Sequence, residues 1–309
     1  MQLSVSQPFD APGIFAFFAA RAVAGVEVAD LGDPDRLRYA RTLLLPGGPS
    51  AFELTALRDT GRWRLQVELE LAAADDEQAA LELIGRAFDL DADAPKIDAA
   101  LAADPLLAPR VAATGGIRVP GTVDPHEIVT RAIVGQQISV KAATMHLGRL
   151  TAAVGSTYHS RFSSLARLFP TAGQIAETLH VPGPQEELDP ARPLRLPRRS
   201  IGTVVNTAKA LSSGRLRVSP GANPVQLRAQ LLDTPGIGPW TAAYVGMRVA
   251  RNPDAWLPGD VALVAGALKL GIIDPGFSIP QRHRELERYA LNYSPWRSYA
   301  AMHLWQAAS

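Results

Sequence analysis

Apolar and polar side chains alternate over residues 62–71, RWRLQVELEL, so that Trp63, Leu65, Val67, Leu69 and Leu71 share one side. A period of two is the pattern of a strand with one buried face, and such a strand needs both a sheet and a covering layer. Weaker strand signals lie at 3–7, 37–45 and 50–57, among helical patterns at 13–24 and 76–90. The order strand, helix, three strands, helix describes a small α+β domain with an antiparallel sheet over residues 1–95, and 91–98 reads as its exit. Beyond about residue 98 the alternation disappears, and helical patterns punctuated by Pro and Gly take over. The fold class is therefore mainly α with an N-terminal α+β domain.

The first long helix of the second part has Asp124 at its N-cap, Pro125 at N1 and Glu127 at N3, a capping-box arrangement. Gly135 is expected to kink or interrupt it before 138–150, and the Pro-rich, charged stretch 182–200 reads as an exposed connection. The chain has no cysteine, which excludes disulfides, cysteine-ligated zinc, iron–sulfur clusters and a thiol nucleophile. No apolar run approaches the roughly 18 residues of a membrane span. The opening MQLSVSQPFDAPG has no basic and apolar leader pattern, so no membrane partner and a cytoplasmic location are expected.

Charge is divided unevenly. Residues 1–100 hold 9 Lys/Arg against 17 Asp/Glu, whereas 101–309 hold 22 against 13, and 190–250 hold 9 against one acid, Asp233. A basic half suggests a polyanionic partner. Within that half, Asn223 and Pro224 start a helix, Pro235-Gly236-Ile237-Gly238 breaks it, and Pro239 opens another. Two glycines in such a turn bare the backbone amides, and with the following helix N-terminus they make an anion site. An ordinary helix–helix turn is the plainer alternative. Further on, Asp260 stands directly before the apolar pattern VALVAGALKLG, where it is either a simple N-cap or, 22 residues after Gly238, an acid carried back toward a ligand held by the hairpin.

Four segments in order, RAIVGQQISVKAA at 131–143, LDTPGIGPWTAAYV at 232–245, LPGD at 257–260 and PWRSYAAMHLW at 295–305, resemble the helix–hairpin–helix DNA glycosylase superfamily. Within it the chain looks most like the bacterial 3-methyladenine DNA glycosylase II family, a likeness that covers nearly the whole length and includes FFAARAV at 17–23. The resemblance implies an N-terminal α+β domain of TBP-like half type at 1–95. It also implies a helical domain with the hairpin at 119–252, and a second helical domain combining 96–118 with 253–309. The active cleft would lie between the helical domains. The implied activity is monofunctional excision of alkylated bases such as 3-methyladenine and 7-methylguanine from duplex DNA, by flipping the nucleotide and hydrolysing the N-glycosidic bond.

The same resemblance assigns the catalytic carboxylate to Asp260. Gly259 stands where close relatives often carry a second acid. The lysine of strand-cleaving members matches Trp240 here, so no Schiff base is expected. The base pocket falls on Phe17, Trp240, Tyr244 and Trp305, whose aromatic faces suit a cationic base; core packing is the alternative for each. Trp296 is assigned to packing, and Gln306 replaces a tyrosine of close relatives. Gln137 falls at the side chain that fills the gap left by the flipped base, and Pro235, Gly236, Ile237, Gly238 and Thr241 form the DNA-binding hairpin. The carbonyls of Leu232, Thr234 and Ile237 would hold a structural Na+ or K+, with no cofactor required for catalysis. Arg198, Arg199 and Lys209 are candidate backbone contacts, and the six histidines show no zinc spacing. Double-stranded DNA with alkylated bases is the expected partner, and a monomer the expected state. The rivals are a non-enzymatic protein that binds damaged or abasic DNA, a bifunctional glycosylase/lyase, and a plain helix–hairpin–helix DNA-binding module.

Overall fold

In the computed structural model, which describes residues 1–308, the alternating segment is a strand that buries Trp63, Leu65 and Val67 and exposes Arg62, Arg64, Gln66 and Glu68. It is β5 (Arg62–Glu70) of one sheet that also holds β1 (Gln2–Leu3), β2 (Glu27–Asp33), β3 (Arg36–Leu45) and β4 (Gly48–Asp59). The order is β1-β5-β4-β3-β2, antiparallel throughout. Helix α1 (Ala11–Ala19) follows β1 and packs on β2 and β3, and α2 (Glu77–Ala87) leaves the sheet.

The N-terminal part departs from the sequence expectation in identifiable ways. The strand signal at 3–7 is realised only at Gln2–Leu3. The helix at 13–24 is shifted to Ala11–Ala19, because the Asp10 carboxylate accepts from Gly13 N at 3.0 Å and Pro12 lies in the first turn. The fourth long strand, β2, has no alternating signature, since it is a sheet edge with an exposed outer half that turns a glutamate, Glu27, into the core. Residues 91–98 are not wholly a linker: Asp93 caps α3 (Ala94–Leu101).

Ten helices follow in sequence: α4 (Ala108–Ala113), α5 (Pro125–Val134), α6 (Val140–Val154), α7 (Ala172–Thr178), α8 (Arg198–Ser212), α9 (Pro224–Leu232), α10 (Pro239–Val249), α11 (Val261–Lys269), α12 (Ile279–Tyr289) and α13 (Arg297–Ala308). Asp124 caps α5 by accepting from His126 N and Glu127 N, but only this half of the capping box forms, because Glu127 turns inward to arginines instead of back to the cap. Gly135 ends α5 rather than kinking it. The connection at 182–200 is shorter than expected, with Leu194 and Leu196 buried and α8 beginning at Arg198. No helix among the described residues is long and apolar enough to cross a membrane.

One apolar core joins the sheet, α1 and α2 to side chains of α11 and α13, and a second fills the space among α5 to α10. Gly266 sets how closely α11 and α13 approach, since a Cβ there would lie 2.0 Å from the Leu304 carbonyl oxygen. That close packing carries Asp260, at the head of α11, against Trp305 of α13. The neighbouring His303 is fully buried and neither ring nitrogen has a partner among the described residues. Burial lowers its pKa to about 4. The unfolded chain therefore binds the proton more tightly, so stability falls as pH drops from about 6.5 toward 4, by about 3 kcal/mol over the full window. Urea midpoints are expected to decline across that range for the wild type and to stay flatter for His303→Leu; parallel curves would contradict this assignment.

Candidate active site

The hairpin forms as its residues require. Asn223 caps α9 through Val225 N and Gln226 N, the turn runs through 235–238, and Pro239 begins α10. Gly236 has φ of +90°, and a Cβ on it would lie 2.3 Å from Thr203 Oγ1, so any side chain there is excluded both by conformation and by space. The amides of Gly236 and Gly238 have no acceptor among the described residues, which leaves two donors facing outward at a helix N-terminus. Ile237 and Thr241 are buried supports of the turn, and Pro235 is exposed. The carbonyls of Leu232 and Ile237 accept no hydrogen bond among the described residues, and that of Thr234 accepts only from Ile237 N at 3.1 Å. Three oxygens with spare lone pairs fit a monovalent cation.

Asp260 does cap α11: its Oδ1 accepts from Ala262 N and Leu263 N, each at 2.9 Å. It also does more than cap. Oδ2 accepts from Trp240 Nε1 at 2.8 Å, and Oδ1 lies 3.3 Å from Trp305 Nε1. Four N–H groups from three helices thus hold one half-buried carboxylate on the wall of a cavity of about 840 Å3. Phe17, Trp240, Tyr244, Trp305 and Asp260 all line this cavity, although they come from α1, α10, α11 and α13.

The aromatic residues are not equivalent. Trp240 and Tyr244, one helical turn apart, stack on each other with centroids 5.1 Å apart and planes within 8°. The pair therefore leaves no room for a planar group between its members. Phe17 is nearly buried, and its ring is engaged by Arg21, 3.7 Å from the centroid, and Arg248, 4.9 Å away. Trp296 packs edge-on to Tyr299. Gln306 donates to Asp10 Oδ2 at 3.0 Å, tying the end of α13 to the start of α1.

Beneath the aromatic residues lies a charged floor that no local pattern announces. Glu27 accepts from Val23 N, Tyr39 Oη, Arg41 and Arg131, while Glu127 accepts from Arg41 at 2.8 Å and Arg131 at 2.7 Å. Burial works to raise the Glu27 carboxyl, but Arg131 and Arg41 overcome it and hold its pKa below the ordinary value. Arg21 and Arg248 have no carboxylate partner among the described residues. Arg21 donates to Phe17 O; Arg248 spends two donors on Gly121 O and gives a third to the Tyr244 hydroxyl at 2.5 Å. Burial works to raise the Tyr244 phenol, and Arg248, Arg21 and Arg131 outweigh it, so its pKa lies below that of an ordinary phenol.

Gln137 is exposed at the α5–α6 break with φ of +60°, a left-handed conformation unusual for a residue with a Cβ. Its neighbour Gln136, which sequence reasoning passed over, donates through Nε2 to Gly236 O at 3.1 Å and Thr241 Oγ1 at 2.9 Å, linking this break to the hairpin. Lys209 is exposed beside the hairpin, in a groove it shares with Arg215 and Thr234, and Arg199 is also exposed. Arg198 instead ties back to the carbonyls of Gly183 and Glu186. No cluster of three or more potential His or carboxylate metal ligands occurs among the described residues.

Comparison with known proteins gives this geometry a family. Residues 1–124 match the AlkA N-terminal domain family. The chain is 37% identical over 305 residues to the probable bifunctional transcriptional activator/DNA repair enzyme AlkA of Mycobacterium tuberculosis, an overlap of 99% of this chain and 56% of that protein. It thus spans about half the length of that relative. It is 32% identical over 307 residues to DNA-3-methyladenine glycosylase 2 of Escherichia coli, covering 98% of this chain and 95% of the other. The solved 3-methyladenine DNA-glycosylase from Archaeoglobus fulgidus has the same fold, with a TM-score of 0.78 at 18% identity over 100% of this chain and 98% of that one. With the five-stranded sheet, the helical body and the hairpin in place, the chain belongs to the DNA-3-methyladenine glycosylase II family and has the helix–hairpin–helix DNA glycosylase fold.

Proposed function

We propose that this chain is a monofunctional DNA glycosylase that removes alkylated purines, 3-methyladenine and 7-methylguanine among them, from duplex DNA in base excision repair. The observation that carries this is Asp260, a carboxylate fixed by four N–H donors on the wall of an aromatic cavity. The chain acts as a monomer on cytoplasmic DNA. It consists of the sheet domain at 1–95, the hairpin domain at 119–252, and the domain of 96–118 with 253–309, with the cleft between the two helical domains.

In this reading the free amides of Gly236 and Gly238 grip a phosphate, supported by Pro235, Ile237 and Thr241, and the Leu232, Thr234 and Ile237 carbonyls hold a Na+ or K+ beside it. Gln137 enters the stack and fills the space of the nucleotide that swings into the cavity. The base stacks against the Trp240–Tyr244 pair, with Phe17 and Trp305 bounding the site. A purine alkylated at N3 or N7 is already cationic, so the C1′–N bond breaks with its electron pair moving to the base, which departs neutral. The positive charge passes to the sugar. Asp260, fixed in place by its four N–H donors, sets a negative charge opposite the sugar and stabilises the oxocarbenium-like species until water adds at C1′ and gives up a proton to solvent.

No lysine lines the cavity among the described residues, and Trp240, the position that the family resemblance matches to the lysine of strand-cleaving members, lies on its wall. Dimethyl-sulfate-treated duplex DNA incubated with the protein is therefore expected to break only after alkali, and borohydride is expected to trap no covalent adduct. Breaks without alkali, together with a trapped adduct, would replace this assignment with the bifunctional one.

A further inference from the structure

The far end of the cavity from Asp260 has a polarity that aromatic stacking does not explain. Trp240 is bonded to Asp260, Tyr244 stacks on Trp240, and the Tyr244 hydroxyl faces Arg248 and Arg21, so the stacked pair runs from the carboxylate to two guanidiniums. Arg248 gives three of its five N–H groups, two to Gly121 O and one to the Tyr244 hydroxyl. By accepting from Arg248, the hydroxyl oxygen leaves its own proton free to donate. Arg21 gives one hydrogen bond to Phe17 O and contacts the Tyr244 hydroxyl, while its other N–H groups reach no carbonyl or carboxylate among the described residues, although its side chain lines the cavity.

Acceptors at this end are already in use. Glu27 takes four donors, two on each oxygen, and each oxygen of Glu127 is engaged by an arginine, Arg41 or Arg131. The Gln306 Oε1 atom lacks a partner but is closed off from solvent, so a base cannot reach it. Two uncommitted donors without an accessible acceptor form a site for a lone-pair-bearing group. An amino group placed there would leave donors facing donors, with the cost of an unpaired buried polar group.

We propose that Arg21 and the Tyr244 hydroxyl select, among alkylated purines, those carrying a carbonyl at the six position over those carrying an amino group. This rests on the glycosylase reading above. A purine with its glycosidic nitrogen toward Asp260 and its rings on the Trp240–Tyr244 stack turns the edge with the six-position substituent toward these donors. A carbonyl oxygen has two lone pairs and takes both donors; an exocyclic amino group takes neither. In DNA, 7-methylguanine and 3-methyladenine carry the same positive charge. The arginine field therefore penalises both alike, and the carbonyl separates them.

Dimethyl-sulfate-treated duplex DNA contains both bases, so their release rates come from one reaction and their ratio is insensitive to the fraction of folded enzyme. The ratio of 7-methylguanine to 3-methyladenine release is expected to fall about tenfold in Arg21→Met and about fivefold in Tyr244→Phe, which keeps the ring and its stack. An unchanged ratio in both variants, or a shift toward 7-methylguanine, overturns the proposal. Binding of the free bases, read by quenching of tryptophan fluorescence, makes the same comparison without catalysis. The wild type is expected to bind 7-methylguanine about tenfold more tightly than 3-methyladenine, with the preference lost in both variants. Equal binding by the wild type would also overturn the proposal, whereas a preference without base release from DNA would refute the enzyme and leave the selective site standing.

Discussion

Asparagine in place of Asp260 is expected to lower the single-turnover rate of base release by at least about 100- to 1,000-fold, the range for removing one preorganised electrostatic contact at a developing charge. The substitution is nearly isosteric, and its consequences differ between the two ends of the side chain. An amide oxygen still accepts from Ala262 N and Leu263 N, and asparagine is as good an N-cap as aspartate, so α11 keeps its start. The amide NH2 would then face Trp240 Nε1, a donor against a donor, and the negative charge opposite the sugar is gone. Stability should change by less than about 1 kcal/mol and affinity for an abasic-site analogue should be retained or rise. Asp260→Ala adds loss of the cap, about 1 kcal/mol more. A variant that releases bases at the wild-type rate would remove Asp260 from the chemistry.

The largest expected effect on stability is at Glu27. This carboxylate is buried beneath the cavity and accepts from Arg131, Arg41, Tyr39 and Val23 N, and the two acids and two arginines of the floor balance to zero. Glu27→Gln leaves one positive charge uncompensated in the interior, and breaking a buried pair from one side costs about 3–5 kcal/mol. The cost should appear as a lower urea midpoint with an unchanged slope. Because Arg131 and Arg41 hold the folded-state pKa of Glu27 below its ordinary value of 4.5, its contribution is present above about that pH and is lost as pH falls below it. The wild type therefore loses stability in acid twice: from about 6.5 downward through His303, and again below about 4.5 through Glu27. Glu27→Gln should lack the second loss. A Glu27→Gln protein as stable as the wild type would show that the floor does not hold the sheet to α5.

Features written in short stretches of chain were legible in the sequence. The alternation at 62–71, the Asn223 and Asp260 caps, the Pro-Gly-Ile-Gly break and Pro239 each act over a few residues, and each stands where local rules put it. The charged floor was not legible, because Glu27, Arg41, Glu127 and Arg131 come from a sheet edge, its neighbour and α5, and only tertiary packing turns them inward. Glu127 illustrates the difficulty: its position beside Asp124 mimics a capping box, and the stronger attraction of two arginines takes it elsewhere. Arg21 and Arg248 were hidden for the same reason, since nothing in the local sequence sets them against Phe17 and Tyr244. Gln136 had one available signal, its place beside Gln137 in the break between α5 and α6, but its bonds to Gly236 and Thr241 span a hundred residues of sequence.

The most direct measurement is chromatography of the free bases released from dimethyl-sulfate-treated duplex DNA by the wild type and by Asp260→Asn, side by side. The account predicts free methylated purines from the wild type, and at most traces from the variant over the same time. No release from either protein, alongside tight binding of an abasic-site analogue, would contradict it and identify a protein that recognises damage without excising it.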